Sequence, residues 1–215
     1  MPTITYKMPD AYVIHLEGAT DRLPLIKALQ VATGLPLTVF FASNGQKTWN
    51  DPAIVKRHPW RFSTLTQGVI GCVESHVAIL EQGAKATEPF FLFEDDAEMV
   101  APYQDFIDGA PADWDILLLG ANEYVESADP VGNYRKIGRF WGTHAMLIRP
   151  QCCSTILAIW VDSIANGVYL PADWLYNEAI RLKGLQVYGS PMVQGFFKQK
   201  AGLVSSLTGV VRNIW

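Results

Sequence analysis

The chain lacks an apolar run that approaches the roughly 18 residues a membrane helix needs. Its opening stretch, MPTITYKMPD, has no apolar core of the kind a secretory leader carries. These two absences predict a soluble chain, with peripheral contact the only membrane association left open. Charge is also sparse: 18% of residues are charged, the formal net charge is −4, and no block of like charge occurs. A nucleic-acid binder would show a basic face, so that partner class is set aside. Cysteine is scarce too. Cys72, Cys152 and Cys153 are odd in number and two are adjacent, which excludes a disulfide framework and any zinc-finger spacing. Reduced, mostly buried thiols in a reducing, cytoplasmic compartment are expected. Repeats, low-complexity tracts and linkers are missing as well, so the 215 residues read as one domain able to bury a sizeable core.

Apolar side chains, by contrast, are plentiful, at 49% of residues, and seven Trp help raise the aromatics to 12%. Strand-like segments AYVIHL (11–16) and LTVFFA (37–42) flank a helix from Thr20 or Asp21 to Thr33, the opening of a βαβ unit. Residues 46–66 read as a long irregular excursion. A helix follows over 67–86, with Val69, Val73, Val77 and Leu80 on one stripe. Further strands are expected at 90–93, 114–119, 142–148 and 185–188, and helices at 150–166 and 173–183. Residues 108–112 and 122–133 read as loops, and the tail from Lys198 carries little pattern. The sum is an α/β domain with a mostly parallel sheet.

The stretch EPFFLFEDDAE (88–98) organises the rest. Phe90 to Phe93 read as a strand buried on both faces, and it ends in Glu94, Asp95 and Asp96. Acids at the C-terminal end of such a strand lie where open α/β sheets bind ligands. Adjacent carboxylates repel, and a divalent cation is the usual remedy; a helix cap or a solvated turn is the plainer alternative. Mg²⁺ or Mn²⁺ suits an oxygen site completed by a ligand's phosphates.

Three more places carry chemistry. In GCVESH (71–76), near the start of the helix before the acids, free N–H groups, Ser75 and His76 suit an anion, although Cys72 and His76 at i and i+4 also suit plain packing on the sheet. His15 and His144 have the same two readings. Asp173, in PADW, opens a helix. It either caps that helix or acts as a general base for a sugar hydroxyl, with Trp174 and Tyr176 packing on the sugar.

Taken together, YVIHLEGATDR, GVIGCVESH, FFLFEDDAEM, WDILLLG, GTHAMLI and PADWL, in this order from about Ala11 to Gln194, resemble glycosyltransferase family 25. This family includes lipooligosaccharide galactosyltransferases and collagen β-galactosyltransferases. The resemblance implies a GT-A type α/β domain with helices on both faces of the sheet. It also implies a UDP-sugar donor (usually UDP-galactose), Mn²⁺ dependence, inversion at the anomeric carbon, and a carbohydrate or hydroxyl acceptor. Nucleotide-sugar binding would fall within about 11–120 and the acceptor side within about 121–197. Carried over, Asp96 is the metal ligand, with Asp95 and Glu94 toward the ribose or the ion. Arg22 lies near the nucleotide pocket, Ser75, His76, Thr143 and His144 lie on the donor side, and Asp173 is the base or a second metal ligand. His15 stands where the family more often has Asn, and Val69 where Glu often precedes the Ile-Gly-Cys triplet. Two rival readings are a metal-dependent phosphohydrolase and a non-catalytic nucleotide-sugar or glycan binder.

Overall fold

A computed structural model describes residues 10–50, 66–192 and 195–201. The first half alternates strand and helix: β1 (Ala11–His15), α1 (Leu23–Thr33), β2 (Leu37–Phe41), a short α2 (Gly45–Asn50), α3 (Gln67–Gly83) and β3 (Phe90–Glu94). Next come β4 (Ala97–Met99), α4 (Gln104–Asp108), β5 (Ile116–Gly120), β6 (Glu123–Glu126), β7 (Arg135–Trp141) and β8 (Ala145–Ile148). The last elements are α5 (Pro150–Ala165), α6 (Ala172–Lys183), β9 (Val187–Gly189) and β10 (Phe197–Gln199).

The central sheet has the order β2-β1-β3-β8-β5-β9-β7-β6. β1 pairs in parallel with both β2 and β3, and β5 with β9. β8 runs antiparallel between β3 and β5, and β7 runs antiparallel between β9 and β6. Strand direction is thus mostly parallel, with only β7 and β8 reversed.

Alternation along the strands feeds two cores. Phe90 and Leu92 of β3, with Ile116 and Leu118 of β5, meet α3, α5 and α6 on one face. Phe91 and Phe93, with Leu117 and Leu119, meet α1 and α4 on the other. Each such buried side chain contributes ~1.5–3 kcal/mol, which is why β3 reads as an unbroken apolar run. Helices on both faces follow from that composition.

Several elements depart from the sequence reading. The excursion over 46–66 begins as helix α2; residues 51–65 lie outside the described residues. Residues 122–133 are not simply a loop, because β6 pairs with β7 there. β6 is the edge strand and mostly exposed, and β7 beside it buries Ile137 and Phe140 without a clean two-residue period. The expected strand over 142–148 starts only at Ala145, leaving Gly142 to His144 as a turn. The little-patterned tail contains β10, which pairs with β4 in a two-stranded sheet beside the acids. Tertiary pairing, not local pattern, fixes these short strands.

Candidate active site

A cavity of about 300 Å³ opens at the C-terminal ends of β1 and β3. Glu94, Asp95 and Asp96 form one side, together with Arg22 from the turn after β1. The loop Ala42–Gly45 after β2, and Gln67, Gly68, Gly71, Cys72 and His76 of α3, form the other. Loop and helix touch closely because both are glycine at the contact. A Cβ on Gly45 would stand 1.7 Å from the Gln67 carbonyl oxygen, and one on Gly71 would stand 2.5 Å from that of Ser43. Any larger residue would push the loop off the helix and open the cavity wall.

The three acids have different partners. Asp95 is buried, accepts from His15 Nδ1 at 2.8 Å, and forms an ion pair with Arg22. Asp96 is buried with one carboxylate oxygen 3.6 Å from Arg22 Nη1, and its carbonyl accepts the N–H of Lys200. Glu94 is half-buried; its Oε1 accepts from Thr143 at 2.7 Å and its Oε2 from Gln199 at 3.3 Å. Burial works against the charge on Arg22, but the hydrogen bond and charge of Asp95, with Asp96 behind, raise its pKa above the usual value. The repulsion among the acids is therefore relieved in part by the chain's own guanidinium. One guanidinium does not offset three carboxylates, so the end of β3 stays rich in oxygen donors.

Other predicted residues sit differently from their expected roles. Ser75 is fully buried below the cavity, donating to the Gly71 carbonyl and accepting from the Ser43 N–H, so it ties α3 to the loop. α3 begins at Gln67 with Thr66 as cap, hence Ser75 and His76 lie beyond its anion-attracting first turn; Gln67 and Gly68 hold that position instead. His76 faces Tyr176 Oη through Nδ1 at 3.1 Å and Thr143 Oγ1 through Nε2 at 3.4 Å. Burial lowers its pKa to about 3, so the ring is neutral. His144 is buried and its Nε2 donates to the Phe197 carbonyl, tying β8 to β10. His15 adds a second contact to Asp95 beside that of Arg22.

Asp173 does not line the cavity, but one turn of chain links the two. Gly142 has a φ of +85°. Its N–H faces the Asp173 carboxylate, and the next residue, Thr143, donates to Glu94. Burial raises the Asp173 pKa, opposed by the N–H groups of Trp174 and Gly142 and by the charge of Arg139. Asn177 holds α6 on β7 by clamping both the N–H and the carbonyl of Phe140, at 3.0 and 2.8 Å. Tyr176, expected as a sugar platform, is fully buried instead. Near Asp173 stand the exposed Trp174 and, on β7, the half-buried Trp141, with the Arg139 guanidinium 4.5 Å from the Trp141 ring centre and 5.4 Å from that of Trp174. Sequence reasoning missed Arg139, Trp141 and Gln199, since each reaches the site through strands it did not assign.

The profile of Glycosyltransferase family 25 (LPS biosynthesis protein) matches residues 8–130, more than half of the chain. The chain belongs to glycosyltransferase family 25. It is a glycosyltransferase by family, and its sheet with an acid-ended β3 has the GT-A type α/β character expected of a family-25 chain. No curated protein matches it. Among solved structures, Drosophila beta-1,4-galactosyltransferase 7 with manganese, UDP-Gal and xylobiose is 10% identical, covering 89% of this chain and 70% of that one, with a TM-score of 0.47. Galactosyltransferase LgtC with donor and acceptor sugar analogs is 11% identical, over 83% and 72%, TM-score 0.47. CTP:phosphocholine cytidylyltransferase from Streptococcus pneumoniae is 9% identical, over 88% and 92%, TM-score 0.46. Likeness at this level carries no weight for what the family-25 chain binds. Among the described residues no helix is long and apolar enough to cross a membrane.

Proposed function

We propose that this family-25 chain is an inverting, metal-dependent transferase that moves a sugar, galactose by family analogy, from a UDP-sugar to a carbohydrate or other hydroxyl acceptor. The observation that carries the reading is the cavity that joins three carboxylates at the end of β3 to the first turn of α3. A nucleoside diphosphate suits both walls, its phosphates toward the α3 N–H groups and a shared cation toward the acids. Asp96, with Glu94 beside it, would hold Mn²⁺ or Mg²⁺, which supplies positive charge to the departing diphosphate. Arg22 and His15 hold the Asp95 carboxylate in place, toward the ribose side of the cavity. Residues 11–120 hold the donor and 121–197 the acceptor, in a cytoplasmic setting that suits free thiols.

On the acceptor side, Asp173 takes the proton of the attacking hydroxyl, a role that a burial-raised carboxylate suits. Trp174 and Trp141 offer a surface for the acceptor's sugar ring. Gly142 and Thr143 hold the two halves in register, since the neighbouring residues touch Asp173 and Glu94 respectively. The phosphohydrolase alternative needs acids on adjacent strand ends, whereas Asp115 lies before β5, at the opposite edge, accepting the Gln186 N–H. Calorimetric titration of UDP with and without Mn²⁺, alongside transfer assays, tests the reading. Asp96→Ala loses the metal-dependent binding, while Asp173→Asn keeps binding and loses transfer. Native-like, Mn²⁺-dependent UDP binding by Asp96→Ala would overturn the assignment.

A further inference from the structure

The transferase reading gives Cys72 no task, yet its thiol is not isolated. Cys72 Sγ, a ring nitrogen of His76 and a carboxylate oxygen of Glu94 lie within 4.8 Å of one another, the one such cluster among the described residues. Cys72 and His76 are i and i+4 on α3, so they share a face, and the end of β3 delivers Glu94 to it. We propose that Cys72, His76 and Glu94 form a binding site for a thiophilic divalent cation of the Zn²⁺ class, which shares Glu94 with the acid-rich end of β3 but does not use Asp96.

Donor chemistry sets the class. Thiolate, imidazole and carboxylate are the three ligand types Zn²⁺ takes, and three protein ligands with a fourth position open is the arrangement of accessible zinc sites. The thiolate separates this site from the Asp96 site, because Mg²⁺ and Mn²⁺ prefer oxygen alone. His76 is oriented for the task. Thr143 Oγ1 stands 3.4 Å from its Nε2 and donates to Glu94 Oε1, so the Nε2 edge is the one that faces the carboxylate. Behind the ring, Nδ1 meets Tyr176 Oη at 3.1 Å. Without the ion, Thr143 gives its proton to Glu94 and accepts from Nε2–H; ion binding shifts the ring proton to Nδ1, where Tyr176 accepts it, and leaves Nε2 to the ion. All three ligands line the cavity, so the ion has a path in from solvent.

One consequence rests on the donor reading, although the site itself does not. Glu94 and the acids of the Asp96 site share one cavity, so Zn²⁺ at Cys72 and UDP with Mn²⁺ compete.

Co²⁺ titrated into the full chain, as a spectroscopic substitute for Zn²⁺, tests the site. One equivalent gives a near-ultraviolet thiolate-to-cobalt absorption band, which Zn²⁺ then removes. The band is lost in Cys72→Ser and kept in Cys152→Ser and in Asp96→Asn. Its absence from the native chain, or its survival in Cys72→Ser, overturns the proposal. As a second measurement, Zn²⁺ affinity is read in competition with a chromophoric chelator. Glu94→Gln weakens it by more than ~10-fold, and unchanged affinity overturns the proposal equally. Asp96→Asn separates this test from the donor reading, since it removes metal-dependent UDP binding and spares the cobalt band.

Discussion

Replacing Arg22 with methionine keeps the side chain's length and apolar stem and removes only its charge and donors. In the native chain Arg22 and Asp95 are both buried, with side-chain exposures of 8% and 6%, so solvent does little to screen them. Removing one partner of a buried pair costs ~3–5 kcal/mol, because the other charge is stranded. An exposed pair would cost at most ~1 kcal/mol. His15 stays on Asp95 at 2.8 Å and Asp96 remains nearby, so the stranded charge keeps one donor but loses the cation that offset its like-charged neighbour. Set against a usual total stability of ~5–15 kcal/mol, the variant folds with a large deficit. For a chain of this size the deficit lowers Tm by ~6–20 °C, measurable by calorimetry or by circular dichroism on heating. Asp95→Asn in the Arg22→Met background recovers much of the loss, because no charge is then stranded. A loss of ~1 kcal/mol or less in Arg22→Met, or purely additive losses in the double variant, would refute the idea that Arg22 holds the acid cluster together.

Other perturbations probe the acceptor side. Gly142→Ala places a side chain at a φ of +85° and only 2.8 Å from Asn122 Nδ2; a loss of ~1–3 kcal/mol is expected in urea denaturation, with transfer falling further than UDP binding. Trp174→Ala removes a ring that is 46% exposed, so stability hardly changes, while the acceptor KM rises about tenfold, equivalent to ~1.4 kcal/mol of stacking. Because burial raises the folded pKa of Asp173 above 3.8, the native chain binds this proton more tightly than the unfolded chain. Its contribution to stability is therefore fully present below the ordinary aspartate value and is lost as pH rises through the raised one. Asp173→Asn is then no less stable than the native chain at neutral pH, by thermal melts across pH, although transfer is lost; a clear drop in Tm would show the carboxylate to be a structural cap.

The parts of the fold legible in the sequence are those whose physics is local. β3 and β5 are buried on both faces and so are written as unbroken apolar runs, while α3 carries a stripe that only a helix period explains. β6, β7, β4 and β10 were not legible because each is short, edge-placed or half-wet, and β7, β4 and β10 are held by partners distant in sequence. Phe197–Gln199 lies almost a hundred residues from the strand it pairs with. That single pairing brings Gln199 to Glu94 and the Lys200 N–H to Asp96, so the omission of one three-residue strand hid two contacts of the site.

The acid triplet shows the same division. Its position at a strand end was legible, because burial cannot extend past Phe93 into three carboxylates. Its internal economy was not, since Arg22 and His15 return to Asp95 from 73 and 80 residues away. This pairing changes the electrostatic argument. Three equivalent acids would require an external cation merely to fold, and such a chain would unfold on chelation. With Arg22 bridging Asp95 and Asp96, and Thr143 and Gln199 on Glu94, the cluster has protein partners at every carboxylate. A cation there is then a matter of ligand binding rather than of folding. It follows that a chelator should leave Tm of the native chain nearly unchanged, while Arg22→Met should become stabilised by added Mn²⁺. A native chain that loses its fold with chelator would show that the arginine does not do the neutralising.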